Sequence, residues 1–159
     1  MEELVTCEGT VHSIIFQNAE NGYTVLRLLT EEGEVITVVG CIPCGAPGEH
    51  LAVSGVPETH PQHGEQLRAV ELERSLPEDE EEIFSYLSSG ICKGVGPATA
   101  RRIVERFGAE TLDVLEREPE RLTTLKGVTA RKAQEIAESF RQHMGLRRLM
   151  AFLAQYQLP

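Results

Sequence analysis

The chain has 159 residues, a formal net charge of −10 and a hydrophobic fraction of 41%. That length predicts one or two small domains, and the apolar share is enough for a real core. No apolar run reaches the roughly 18 residues of a membrane span, and Met1-Glu2-Glu3 lacks the basic and apolar regions of a secretory signal, so the expected location is cytoplasmic.

The front half reads as β. Leu4 to Phe16 alternates loosely, and Gly22 to Leu29 is rich in strand formers. After a Glu31-Glu32-Gly33 turn, Val35 to Gly40 completes a hairpin. Leu51 to Val56 and Gln66 to Leu72 supply a fourth and fifth strand, and Pro43, Pro47, Gly48, Pro57, Pro61 and Gly64 fall in the loops. No helix is assigned between the third and fourth strands. Five short strands over residues 1–76 predict a small barrel of the OB type.

Such barrels hold single strands on stacked aromatics in a basic groove. This one offers Phe16 and Tyr23, and Phe16 suits the core equally well. Its charge is also wrong for nucleic acid. Residues 1–76 set Arg27, Arg68 and Arg74 against twelve acidic side chains. The acidic barrel is therefore expected to dock a protein or another domain rather than a strand.

Cys41-Ile42-Pro43-Cys44 has CxxC spacing, with His50, His60 and His63 downstream. A structural zinc site needs four ligands at recognisable spacings, and one pair with scattered histidines does not supply them. These are read as reduced cysteines at a strand end, and Cys7 and Cys92 as small apolar side chains. No metal and no catalytic residue is assigned.

Residues 77–82, Pro-Glu-Asp-Glu-Glu-Glu, are read as an acidic linker. The same acids also suit a helix N-terminus before Ile83, and they would keep DNA off the front domain. Beyond them the balance reverses, with twelve basic and eight acidic groups in residues 83–159. Phosphate neutralisation dominates affinity for DNA, so this half is the plausible contact surface.

The basic half repeats itself after 33 residues. Lys93–Phe107 aligns with Lys126–Phe140 over 15 pairs, seven of them identical: Lys93/Lys126, Gly94/Gly127, Val95/Val128, Ala100/Ala133, Ile103/Ile136, Glu105/Glu138 and Phe107/Phe140. One supersecondary unit is used twice. In the first copy Gly94 and Gly96 are free to take positive φ, and Val95 between them can plug inward. Pro97 suits a first helical turn. Small Ala100 admits a close neighbour, and Ile103, Val104 and Phe107 form an apolar stripe. Ile83, Phe84 and Leu87 make a short helix upstream. In the second copy Leu122 and Leu125 precede the turn, and Ala133, Ile136, Ala137 and Phe140 follow it. There Thr129 replaces the second glycine. Its hydroxyl can cap the helix, but it resists positive φ, so a distorted second hairpin is expected. Arg131 and Lys132, without counterparts in the first copy, would compensate by charge.

The pattern apolar-x-Gly-apolar-Gly-x-x-x-Ala-x-x-apolar resembles the helix-hairpin-helix motif of DNA-binding proteins. Two copies joined by Thr111-Leu112-Asp113-Val114-Leu115 resemble its compact double form, over residues 83–145. In that family the turn and the following helix start hold DNA phosphates without reading sequence. The resemblance assigns Gly94, Val95, Gly96, Gly127 and Val128 to the backbone cradle. It makes Lys93, Thr99, Arg101, Lys126, Thr129, Arg131 and Lys132 candidates for side-chain contact with phosphate. Residues 146–159 read as a further helix with Leu149, Phe152 and Leu153 on one face, the start of a third hairpin interrupted at Pro159.

The front half then sharpens the resemblance. Phe16-x-Asn18-x-Glu20-Asn21-Gly22-Tyr23-Thr24-Val25-Leu26-Arg27, Val39-Gly40, Gly48-Glu49, Val53-Ser54-Gly55 and His60-Pro61-x-x-Gly64-x-Gln66 are similar to the opening of bacterial RecD-like helicases of the RecD/TraA group. The order of barrel, Gly90-Ile91 and two hairpins agrees. The departures are Cys41, Cys44, Cys92 and Thr129. The resemblance implies an α+β chain: an N-terminal DNA-binding extension of an ATP-driven 5′→3′ helicase of repair and recombination, partnered by DNA, single-stranded or forked, and by the motor domains. ATP and Mg²⁺ are implied for that motor. The sequence has no Gly-x-x-x-x-Gly-Lys-Ser/Thr loop, so these residues are not expected to hydrolyse ATP. Two alternatives stay open: a junction-binding protein of the RuvA kind, and a protein-interaction module whose hairpins only pack.

Overall fold

The computed structural model describes residues 3–62 and 64–155. Met1, Glu2, His63 and Pro159, named above, lie outside the described residues. The chain divides into two compact units, the first of residues up to Leu76 together with the segment from Leu149, the second of Pro77–Arg148.

The first unit is a closed five-stranded barrel. Its strands are β1 (Val5–Gln17), β2 (Tyr23–Thr30), β3 (Val35–Cys41), β4 (His50–His60) and β5 (Gly64–Ser75). They close in the order β1-β2-β3-β5-β4. All pairings are antiparallel except β3 with β5, which pair at Val38↔Leu67 and Val39↔Arg68. Alternation sends Val11, Leu26, Leu28, Val38, Leu51, Val53 and Leu67 inward to a common core with Ile42. β1 serves two partners, β4 along its first half and β2 along its second, with register shifts after Val11 and Ile14. Gly9 sits where the change begins. A Cβ there would lie 2.1 Å from the Leu29 carbonyl oxygen, so no side chain fits.

β4 and β5 run longer than the sequence suggested. Pro57, Glu58, Thr59 and Glu65 look like loop residues, yet they pair across the hairpin at Pro57↔Leu67, Glu58↔Gln66 and Thr59↔Glu65. Side chains support the extension: Gln66 Nε2 donates to Glu58 Oε1 at 2.8 Å, and Arg68 Nε lies 3.3 Å from Glu58 Oε2. The β3–β4 connection has no helix. It is held by Glu49, fully buried, whose carboxylate accepts from Arg74 Nη2 at 3.0 Å on both oxygens and from the Ala46 N–H at 2.9 Å. Arg74 Nη1 also donates to the Pro43 carbonyl at 2.7 Å. Phe16 is not core: it is 51% exposed, with its ring 6.3 Å from that of the exposed Tyr23. Both aromatics flank the short β1–β2 turn, on the outside of the barrel wall.

The second unit is helical, with α1 (Glu80–Tyr86), α2 (Pro97–Phe107), α3 (Thr111–Arg117) and the part of α4 (Ala130–Gln155) up to Arg148. The acidic run is not a free linker. Asp79 caps α1 by accepting the Glu82 N–H at 2.7 Å, and Glu80, Glu81 and Glu82 form the first turn. Acids there complement the helix dipole. A wide turn, Leu87–Ile91, follows and ends at Gly90 with φ +97°. In the second copy the upstream helix is reduced to a 3₁₀ segment, Pro119–Thr124. The residues expected to start a separate helix at 146 instead continue α4 without a break, because Gly145 sits in the helix and no proline interrupts it. Along that extension Leu146, Leu149, Phe152 and Leu153 are exposed. Ile83, Tyr86, Leu87, Ile103, Leu115, Leu122, Ile136 and Phe140 fill the core. The buried Tyr86 hydroxyl finds a partner in His143 Nε2 at 3.0 Å.

Candidate nucleic-acid interface

The two turns have one geometry. Gly94 and Gly127 both take φ +86°, and a Cβ on either would meet nothing within 4 Å. Backbone conformation, not crowding, demands glycine there. The Val95 N–H returns to the Cys92 carbonyl at 3.2 Å, and the Val128 N–H to the Leu125 carbonyl at 3.1 Å. Both valines are buried, as plugs that anchor each turn to the core. The helices then open alike, with the Ala100 N–H on the Gly96 carbonyl at 2.8 Å and the Ala133 N–H on the Thr129 carbonyl at 2.9 Å.

This overturns the expected distortion of the second turn. Gly96 has φ −97° and ψ −174°, an extended conformation that any residue adopts. Threonine at the matching position is therefore compatible. Its Oγ1 accepts the Lys132 N–H at 3.1 Å, a helix cap that Gly96 lacks.

The turns bring five of the expected contact residues to one place. Lys93, Gly94, Thr129, Arg131 and Lys132 line a cleft of about 310 Å³, with Glu135 and Ile136 completing it. The cleft lies at the start of α4, and a helix start favours an anion. Glu135 tempers the charge, since its carboxylate lies 3.4 Å from Arg131 Nε. Lys93 and Lys132 complete the cationic rim.

The other candidates lie elsewhere. Thr99 is half-buried in the first turn of α2, and Lys126 and Gly127 are exposed on the second turn. Arg101 is held within the domain, with its guanidinium 3.8 Å from the centre of the Phe84 ring and 3.5 Å from Glu81 Oε1. Arg102, beside it, turns the other way and donates to the Lys126 carbonyl. Sequence reasoning missed Ser139 and Glu135, and took Arg102 only as a cation that diverges from Arg101 on one helix. Only Glu135 carried a signal, its spacing of four residues from Arg131 on one helix face.

Cys92 lies under the first turn, where burial pushes its thiol from the ordinary 9.0 up to about 12. It is a packing residue, not a nucleophile. In the barrel, the side chains of Glu8, Glu31 and His50 lie close enough to share an ion.

Comparison with known proteins follows the same division. Residues 3–77 match the OB-fold domain of the ATP-dependent DNA helicase YrrC, and residues 84–142 match the SAM-like helix-hairpin-helix tandem. The ATP-dependent RecD2 DNA helicase of Deinococcus radiodurans is 32% identical over 152 residues, covering 91% of this chain and 21% of the relative. The chain thus spans about a fifth of that relative's length. Among solved structures, the S. pombe Stn1–Ten1 complex aligns with 45% of this chain and 57% of its own at 21% identity and a TM-score of 0.37. An OBody bound to hen egg-white lysozyme aligns with 45% of this chain and 77% of its own at 15% identity and a TM-score of 0.34. Likenesses this slight carry no weight for function. The two domain matches in this order, with a likeness running along 91% of the chain, make the chain similar to the N-terminal region of a RecD-like helicase, an OB barrel followed by a tandem helix-hairpin-helix.

Proposed function

We propose that the tandem hairpin domain grips the sugar–phosphate backbone of DNA without reading sequence, as the accessory region of an ATP-driven 5′→3′ helicase. The observation that carries this reading is the cleft where Lys93 and Gly94 of one turn face Thr129, Arg131 and Lys132 of the other. Cations and a helix start converge there on a space that suits a phosphate. Lys126, Gly127, Thr99 and Gly96 extend the contact along both turns. Arg101, already stacked on Phe84, serves at the rim. The match of the barrel to a helicase OB domain favours this reading over a junction-binding protein of the RuvA kind. ATP and Mg²⁺ fit nothing in these residues, which lack a phosphate loop. They belong to the motor, the partner that this region serves, and the acidic barrel is the face for a protein or domain contact.

The test is the salt dependence of DNA binding. Every phosphate that the protein no longer neutralises lowers the slope of log affinity against log salt by about 1. Arg131→Ala with Lys132→Ala is expected to flatten the slope and to weaken binding alike on unrelated sequences. An unchanged slope would reject the assignment.

A further inference from the structure

The two turns are tied to each other across the repeat. The Lys93 N–H donates to Ser139 Oγ at 2.8 Å. Ser139 lies on α4, the helix that follows the second turn. The Lys126 carbonyl accepts from Arg102 Nη2, and Arg102 lies on α2, the helix that follows the first. Lys93 and Lys126 are the aligned opening residues of the two copies. Each turn is thus held at its entrance by the helix of the other copy. The ties use the main chain of both lysines, which leaves their side chains available.

Duplication alone does not produce this arrangement. The counterpart of Ser139 in the first copy is Arg106, and the counterpart of Arg102 in the second is Glu135. Unlike side chains at unlike places along the two helices close the same kind of bond. Arg102 is also an exposed cation that points its guanidinium at a carbonyl of its own domain. Its charge is not needed at the cleft, where Lys93, Arg131 and Lys132 already stand.

We infer that Arg102 and Ser139 are positioning residues: they fix the spacing of the two turns, so that both engage one DNA molecule as a single unit. This rests on the DNA-backbone reading above. Two weak contacts held at a fixed spacing reinforce each other, because the first raises the effective concentration of the second. Without the ties the turns bind separately, and the reinforcement disappears while the number of phosphates each can hold stays the same.

The experiment is an NMR titration of the whole chain with a DNA strand of about 12 nucleotides, long enough for both turns on the usual site sizes. In the natural sequence the Gly94 and Gly127 amides shift with one common midpoint. In Arg102→Met, and separately in Ser139→Ala, affinity falls about tenfold and the two midpoints part. The salt slope read at each amide falls to the share of its own turn, and it does so alike in Arg102→Met and in the uncharged change Ser139→Ala, whereas Lys132→Ala lowers the slope by about 1 and keeps the common midpoint. Arg102→Lys, which can still reach the carbonyl, recovers much of the loss. A slope lowered by Arg102→Met but not by Ser139→Ala, with one midpoint kept, would make Arg102 a phosphate ligand and overturn the inference. Affinity and a common midpoint left intact in both variants would also overturn it. If neither amide shifts in the natural sequence, the DNA-backbone reading itself fails, a result distinct from the other two.

Discussion

The barrel and the hairpin domain place their charges in opposite ways. Two of the barrel's three arginines are set against acids, Arg74 on buried Glu49 and Arg68 on Glu58, and Arg27 is exposed on β2. The hairpin domain leaves Lys93, Lys126 and Arg131 exposed around two turns built for close approach. A net charge of −10 therefore says little about binding: residues 1–76 set twelve acids against three arginines, while residues 83–148 set twelve basic groups against eight acids. Where cations are presented matters more than their sum.

The comparison breaks first in the barrel. Glu49→Ala would leave the Arg74 guanidinium buried without its carboxylate, at a cost of about 3 kcal/mol or more. Urea unfolding followed at barrel resonances measures it. A loss well under that would mean that the pair is ornamental to the β3–β4 connection. Replacing both partners with methionine is expected to be far milder.

The next largest effect separates the glycines. Gly94→Ala and Gly127→Ala place a side chain at φ +86°, at a cost of about 1–2 kcal/mol each. Gly96→Ala, at an extended position, costs little, and equal losses at Gly94 and Gly96 would contradict the turn geometry.

The thiols sharpen the contrast. Exposed Cys41 in the barrel is expected to react with alkylating reagents in the native state, and buried Cys92 only on unfolding. Below pH 9.0 the Cys92 thiol is protonated whether the chain is folded or not. Between 9.0 and about 12 the unfolded chain ionises and the native one does not, so stability falls as pH rises through that window. By pH 10 the loss is on the order of 1 kcal/mol, and Cys92→Val removes it. A pH dependence that survives the substitution would point to another group.

The smallest effect is at Glu135. Removing its charge frees Arg131 at the cleft, so Glu135→Gln should tighten DNA binding a few-fold, well under 1 kcal/mol, as exposed pairs are weak. Weaker binding in that variant would place the DNA elsewhere.

Much of this was legible in the sequence for a physical reason. The strands announced themselves by alternation, and the hairpins by repetition, since Gly94 and Gly127 answer a local backbone demand. What stayed hidden depended on contacts distant in sequence. Pro57 and Glu58 became strand because β5 pairs with them. Phe16 went outside because two register shifts in β1 break the alternation. Thr129 misled because the glycine it replaces never used positive φ. Arg102 and Ser139 act 24 and 46 residues away, beyond any local pattern.

One measurement bears most directly on the division of labour. Amide shifts are mapped over the whole chain as a short DNA strand is added at low ionic strength. The account predicts movement at Lys93–Thr99 and Lys126–Lys132, with the exposed Phe16–Tyr23 pair and the rest of the barrel still. Movement at Phe16 and Tyr23 with both turns silent would contradict it.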